Sequence, residues 1–216
     1  MRISLPLPCH TCGIRDPVLV QLDGPWWEWD CPGCGASNAL LSSVDWTKGR
    51  LILERAAQYR QQADYASSIV FSAMALEAEL ARLYFKWRRQ DAATEWIAHG
   101  GPPIDPRPTE AELEREYRYL GRTISKKIGR VGHLLDERGV DEFARHSDLA
   151  ERIENDVPGL NIGTLATDIQ QAVFWPRNRV VHVGYTAYDE TEARRAESIV
   201  SVTLDLLKQM DRARRR

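Results

Sequence analysis

The sequence predicts an all-α helical bundle that carries a small β ribbon at its N-terminus. Three observations lead there. All four cysteines fall within the first 34 residues, as two Cys-x2-Cys pairs. Glycine and proline nearly vanish between Leu51 and Gly100, which removes the usual turn makers from that interval. Within it, apolar residues recur at helical spacing. The boundary falls at residue 45, with the ribbon over 1–45 and the helical domain over 46–216.

The ribbon comes first. Cys9-x2-Cys12 and Cys31-x2-Cys34, with eighteen residues between the pairs, match the four-thiolate zinc pattern. Each tight turn offers two sulfurs to one tetrahedral ion. A disulfide pairing needs an oxidising compartment, and a redox Cys-x-x-Cys would use only one pair. Structural Zn2+ is the cofactor expected. His10 is a further potential ligand, although four thiolates already fill a tetrahedral site. "VLVQL", Asp23-Gly24 and "WWEWD" read as strand, turn and strand. Trp26, Trp27 and Trp29 can stack nucleic-acid bases, but they read more simply as cover for a small metal-dependent core.

The helical domain follows. "LILERAAQYRQQ" predicts one helix of about fifteen residues, ending near Gln62. A long helix then runs to about Gln90, with Ile69, Ala73, Leu76, Leu80, Leu83 and Trp87 along its apolar stripe. "HGGPPIDPRP" is a connection. Thr109 with Glu112 forms a capping box that opens a helix to about Leu120. In "GRTISKKIGRVGHLL", Arg122, Lys126 and Arg130 are spaced by four with Lys127 alongside, a basic stripe suited to RNA or to plain solvation. "DVPGLNIGT" is a turn after which Thr164 can cap "LATDIQQAVFW". The last helix buries Ala196, Ile199, Thr203, Leu206 and Met210 and ends in an arginine-rich segment expected to fray.

Composition narrows the function. At 216 residues and 43% hydrophobic, the chain can build a real core. A formal net charge of −2 excludes nucleic-acid binding by the field of the whole molecule, so any anionic partner meets a local patch. No apolar run approaches a membrane span, and "MRISLPLPCH" has no signal-peptide pattern. No membrane partner and a cytoplasmic location are therefore expected. The sequence contains no internal repeat, Gly-rich phosphate loop or Gly-x-Ser-x-Gly elbow.

The chemistry concentrates in "FWPRNRVVHVGY", residues 174–185. Pro176 is suited to a first helical position. Asn178 and His182, four apart, share a helix face, whereas Arg177 lies about 140° around an ideal helix from His182. Arg177 reaches the histidine only by swinging back, or across two chains. An imidazole moves a proton near neutral pH. A guanidinium holds a phosphate and absorbs the charge of phosphoryl transfer. An asparagine orients either group. Together these are the parts needed to cut RNA without a metal, by attack of a ribose 2′-OH on its own phosphate. A structural arginine and a satisfied histidine near a helix start are the plainer reading of the same residues.

"RNRVVH" resembles the Arg-x4-His motif of the HEPN superfamily (higher eukaryotes and prokaryotes nucleotide-binding). "RNRVVHVG" is similar to its Arg-Asn-x3-His-Gly form, with Val183 where glycine usually follows. The resemblance spans roughly residues 46–214 and implies an HEPN-like bundle. It further implies a metal-independent endoribonuclease acting on RNA as a homodimer, in a toxin–antitoxin or phage-defence setting with an antitoxin or defence partner protein. In that picture Arg177 stabilises the scissile phosphate, His182 transfers protons and Asn178 orients it. Glu77 or Glu79 is a candidate supporting carboxylate. Tyr185 stands three residues after the histidine, one beyond the tyrosine position of some toxin members, and receives no role. The superfamily also includes non-catalytic nucleotide-binding and dimerisation modules, the second function the sequence allows.

Overall fold

A computed structural model describes residues 2–9, 11–12, 15–21, 26–41, 48–98, 108–121, 123–147, 151, 155, 157, 159–160 and 162–214. Its mass is helical. The N-terminal part holds four short strands, β1 (Arg2–Pro8), β2 (Arg15–Gln21), β3 (Trp26–Asp30) and β4 (Ser37–Leu41). They form two antiparallel pairs, β1 with β2 and β3 with β4. This corrects the predicted hairpin, which joined "VLVQL" to "WWEWD" through Asp23-Gly24. Each ladder instead closes at a cysteine pair, with Pro8 opposite Arg15 and Asp30 opposite Ser37. A Cys-x2-Cys segment is itself a tight reversal, and it overrides the Asp-Gly signal. That dipeptide lies outside the described residues, as do the side chains of Trp26, Trp27 and Trp29.

Helix α1 spans Lys48–Gln61 and α2 spans Tyr65–Ala98. The intended stripe of α2 is inward: Ile69, Ala73, Leu76, Leu80 and Leu83 are fully buried and Trp87 nearly so. The Asp64 carboxylate accepts the Ser67 N–H at 3.1 Å, which caps the start of α2. The helix runs eight residues past the expected end because "DAATEWIA" contains no breaker. Helix α3 (Glu110–Tyr119) opens with the predicted box: Thr109 Oγ1 accepts the Glu112 N–H, and Glu112 accepts the Thr109 N–H at 2.8 Å. Helix α4 spans Ile124–Leu135, and a short α5 covers Gly139–Arg145. The sequence reading had no helix at α5. It docks closely on α4, where a methyl group placed on Gly132 would lie 2.3 Å from Val140 Cγ2.

One continuous helical stretch then runs through α6 (Leu165–Ile169), a π-helical turn (Gln170–Phe174) and α7 (Trp175–Val183). Thr164 sits at the N-cap position, yet its hydroxyl turns to the Asp168 carboxylate at 3.4 Å and caps nothing. An α-helix begins at Trp175 with Pro176 in its first turn, as predicted, but it continues a helical stretch and does not open from a loop. A proline inside an α-helix has no N–H and clashes with the carbonyl four residues back. Here the π turn supplies the relief, with the Trp175 N–H donating to the Gln170 carbonyl five residues earlier. Gly184, at φ 70°, ends α7, and its N–H donates to the Val180 carbonyl at 3.1 Å.

Helix α8 (Glu190–Arg214) packs with α1 and α2 as the central layer. Ala196, Ile199, Thr203, Leu206 and Met210 are buried as expected. Polar pairs lock the layer. Glu197 accepts Arg60 Nε at 3.0 Å and the Ser68 hydroxyl at 2.7 Å. Asp211, 4% exposed, accepts Trp87 Nε1 at 2.7 Å and pairs with Lys86. The arginine-rich end does not fray through Arg214. Its guanidinium grips Asp91 at 2.7 Å, donates to the Leu134 carbonyl and stacks 4.4 Å from the Trp87 ring centroid. Among the described residues, no helix is long and apolar enough to cross a membrane.

Candidate functional site

The motif residues lie on α7, a helix with no buried residue. Arg177 and Asn178 are half-buried, and Arg177 Nη1 donates to Asn178 Oδ1 at 3.0 Å. Its Nε is buried without an acceptor. His182 is exposed. The helix carries three exposed apolar side chains, Trp175 at 66%, Val181 at 49% and Val183 at 77%. On ideal helical phase, Trp175 falls about 20° from His182, while Arg177 is about 160° from Trp175. The helix therefore presents histidine and tryptophan together to solvent and turns the arginine to nearly the opposite face.

Sequence reasoning missed the support behind this surface. The Arg179 guanidinium stacks 3.9 Å from the Tyr185 ring centroid, and Tyr185 meets Tyr188 edge-on at 4.9 Å. The Tyr188 hydroxyl donates to the Pro176 carbonyl at 3.1 Å. Burial raises the Tyr188 pKa, which keeps that hydroxyl a donor. Tyr185 thus braces Arg179. The signal was three aromatic or proline positions at no regular spacing, which no helical template collects.

Glu77 and Glu79 are engaged elsewhere. Glu79, 1% exposed, receives both arms of Arg82 at 2.6 and 3.0 Å. Glu77 lies 3.9 Å from Lys127 Nζ. In the basic stripe, Lys127 is therefore committed, with its ammonium also 4.6 Å from the Tyr117 ring centroid. Lys126 and Arg130 are exposed, and Arg122 lies outside the described residues.

The four cysteines converge. Their sulfurs all lie within 4.8 Å of one another, a cluster able to hold a metal ion. Cys9 Sγ is 3.6 Å from Cys34 Sγ, and Cys12 Sγ is 3.7 Å from Cys31 Sγ. Cys9 and Cys31 are buried while Cys12 and Cys34 reach the surface. Local backbone favours thiolate at Cys9: the Cys12 backbone N–H, then that of Thr11, bring its pKa down to about 6. Gly35, at φ 69°, completes the second turn, and its N–H donates to the Cys31 carbonyl at 2.8 Å. His10 lies outside the described residues.

No family model, no curated protein and no solved structure matches the chain.

Proposed function

We propose that the chain is a metal-independent endoribonuclease of HEPN type, built on an HEPN-like helical domain and preceded by a zinc ribbon. The observation that carries the reading is α7 itself: an arginine hydrogen-bonded to asparagine, an exposed imidazole and an exposed tryptophan on one helix with no buried residue. Arg177 would hold the scissile phosphate with the guanidinium arm that Asn178 leaves free. His182 would take the 2′-OH proton, or return one to the leaving 5′-oxygen, as the ribose oxygen attacks phosphorus. Because the phase difference along one helix holds Arg177 and His182 apart, a composite site would take its Arg177 from a second copy.

The sulfur spacing supports zinc. Four thiolates about 2.3 Å from a tetrahedral ion stand about 3.8 Å apart. The observed 3.6 and 3.7 Å separations fit that edge. Four protein ligands leave no open position, so the ion would close the two turns and not take part in cleavage.

A second reading rests on the half-buried Arg177. With one arm spent on Asn178, it suits holding an anion in a non-catalytic nucleotide-binding dimer. Cleavage separates the two. Purified protein should cut RNA in EDTA and leave 2′,3′-cyclic phosphate ends. His182→Ala and Arg177→Ala should each abolish cutting, and expression of the wild type in a bacterium should be toxic where His182→Ala is not. Full activity in both variants would sink the ribonuclease assignment.

A further inference from the structure

A cleft with no α7 residue in its lining lies between α2, α3 and α4. It is a shallow groove of about 450 Å3, largely open to solvent, and is lined by Tyr84, Arg115, Glu116, Tyr119, Leu120 and Arg130. Two features set it apart from an ordinary surface groove. Tyr119 is 80% exposed, the most exposed of the large apolar or aromatic side chains among the described residues. An exposed aromatic ring offers a face on which a base can stack. The charges around it are also unequal. One oxygen of Glu116 accepts the Tyr84 hydroxyl at 2.9 Å and Arg88 Nε at 3.3 Å. Arg115 and Arg130 are exposed, and Arg115 also feels the Glu112 carboxylate one turn before it on the same helix. The nearby Glu112 carboxylate is occupied at the start of α3 with Thr109. The cleft therefore offers one exposed ring face and two exposed guanidinium groups beside a carboxylate that is already hydrogen-bonded.

That set matches a planar heterocycle joined to a phosphate. Bases of a single strand stack on tyrosine whatever their sequence, and guanidinium groups bind phosphate oxygens in pairs. The cleft also continues the exposed part of the α4 stripe. Arg130 lines it, and Lys126 stands one turn away on the same helix. Lys127 does not contribute, since Glu77 and the Tyr117 ring hold it.

We propose that this cleft binds one nucleotide of a single-stranded RNA, with the base stacked on Tyr119 and the phosphate held by Arg115 and Arg130. The inference rests on the RNA reading of the chain and adds where the strand is held outside the cutting site. It is tested in the full chain carrying His182→Ala, so that bound RNA stays intact, by fluorescence anisotropy with a short labelled single-stranded RNA. Tyr119→Ala should weaken binding roughly tenfold, whereas Tyr119→Phe should bind as well as its parent. Arg115→Ala with Arg130→Ala should lower the slope of log affinity against log salt by about 0.7 for each lost phosphate contact. All three residues are exposed, and thermal melts of each variant check that the fold is kept. Unchanged affinity and slope in both variants, while the chain with His182 restored cuts RNA, would overturn the cleft alone. AMP binding that depends on Tyr119, beside RNA binding that does not, would also overturn it by naming a free nucleotide as the ligand. Loss of RNA binding in the cleft variants, together with cutting by His182→Ala, would uphold the cleft and overturn the assignment of the α7 residues.

Discussion

Replacing Trp175 with alanine tests whether α7 is a surface that a second chain covers. The side chain is 66% exposed, so the isolated fold loses little when it is removed. A tryptophan buries at most about 250 Å2, which leaves roughly 165 Å2 here for a partner to cover. At about 25 cal/mol per Å2, full coverage is worth about 4 kcal/mol. Only part of such burial survives the costs of association, and half gives about 2 kcal/mol per protomer. A two-fold interface counts the change twice, so Trp175→Ala should weaken dimerisation by about 4 kcal/mol, roughly a thousandfold in Kd. Sedimentation equilibrium over a range of protein concentrations reads this directly, and the helical circular dichroism should not change. A wild-type protein that stays monomeric, or a Kd moved less than about threefold, would show that the exposed tryptophan is not at an interface between copies.

Three further outcomes are expected. Arg82→Ala leaves the Glu79 carboxylate, 1% exposed, without its partner, and should cost about 3 kcal/mol in urea unfolding; a loss within 0.5 kcal/mol, roughly the surface-substitution range, would mean that water replaces the guanidinium. The Thr109 backbone N–H holds the Glu112 pKa below its ordinary 4.5, so the cap's contribution is complete above that pH and lost as pH falls through the depressed value. A carboxyl NMR titration of Glu112 checks the sign, and an ordinary midpoint would contradict it. Purified protein should carry one zinc per chain by elemental analysis, and Cys31→Ser should lose it while the helical signal persists; binding retained in that variant would place the metal elsewhere.

Much of the helical layout was legible because single residues dictated it. Ile69 through Trp87 form a stripe that no other element type could bury, and Thr109 with Glu112 reports a helix start through its own hydrogen bonds. The cysteine cluster was legible for the same reason, since the spacing is the chemistry. What escaped was set by competition between signals. Asp23-Gly24 reads as a hairpin turn only until the cysteine turns claim the same strands. The seven residues of α5 are too few for periodicity to register, and their place is decided by Gly132 against Val140. At the candidate site, the order Arg177, Asn178 and His182 was plain, but their surroundings were not. The Arg179–Tyr185–Tyr188–Pro176 bracing joins residues across a chain reversal, and only the folded backbone brings them together.

The π turn before Trp175 has a consequence for how the motif is aimed. A π turn holds one residue more than the α turn it replaces, so everything after it is rotated by about 100°. The apolar stripe of α6, Leu165 and Ile169, continues through Val173, whereas in α7 no residue is fully buried and Val180 packs only partly buried against the core. The extra residue works as a phase offset that turns the motif's histidine and tryptophan away from the core their own helix began in. Counted along the chain, Arg177 and His182 are fixed at five apart. Their direction relative to the core depends on a residue upstream of both, so a one-residue deletion in 170–174 would redirect them without altering either residue.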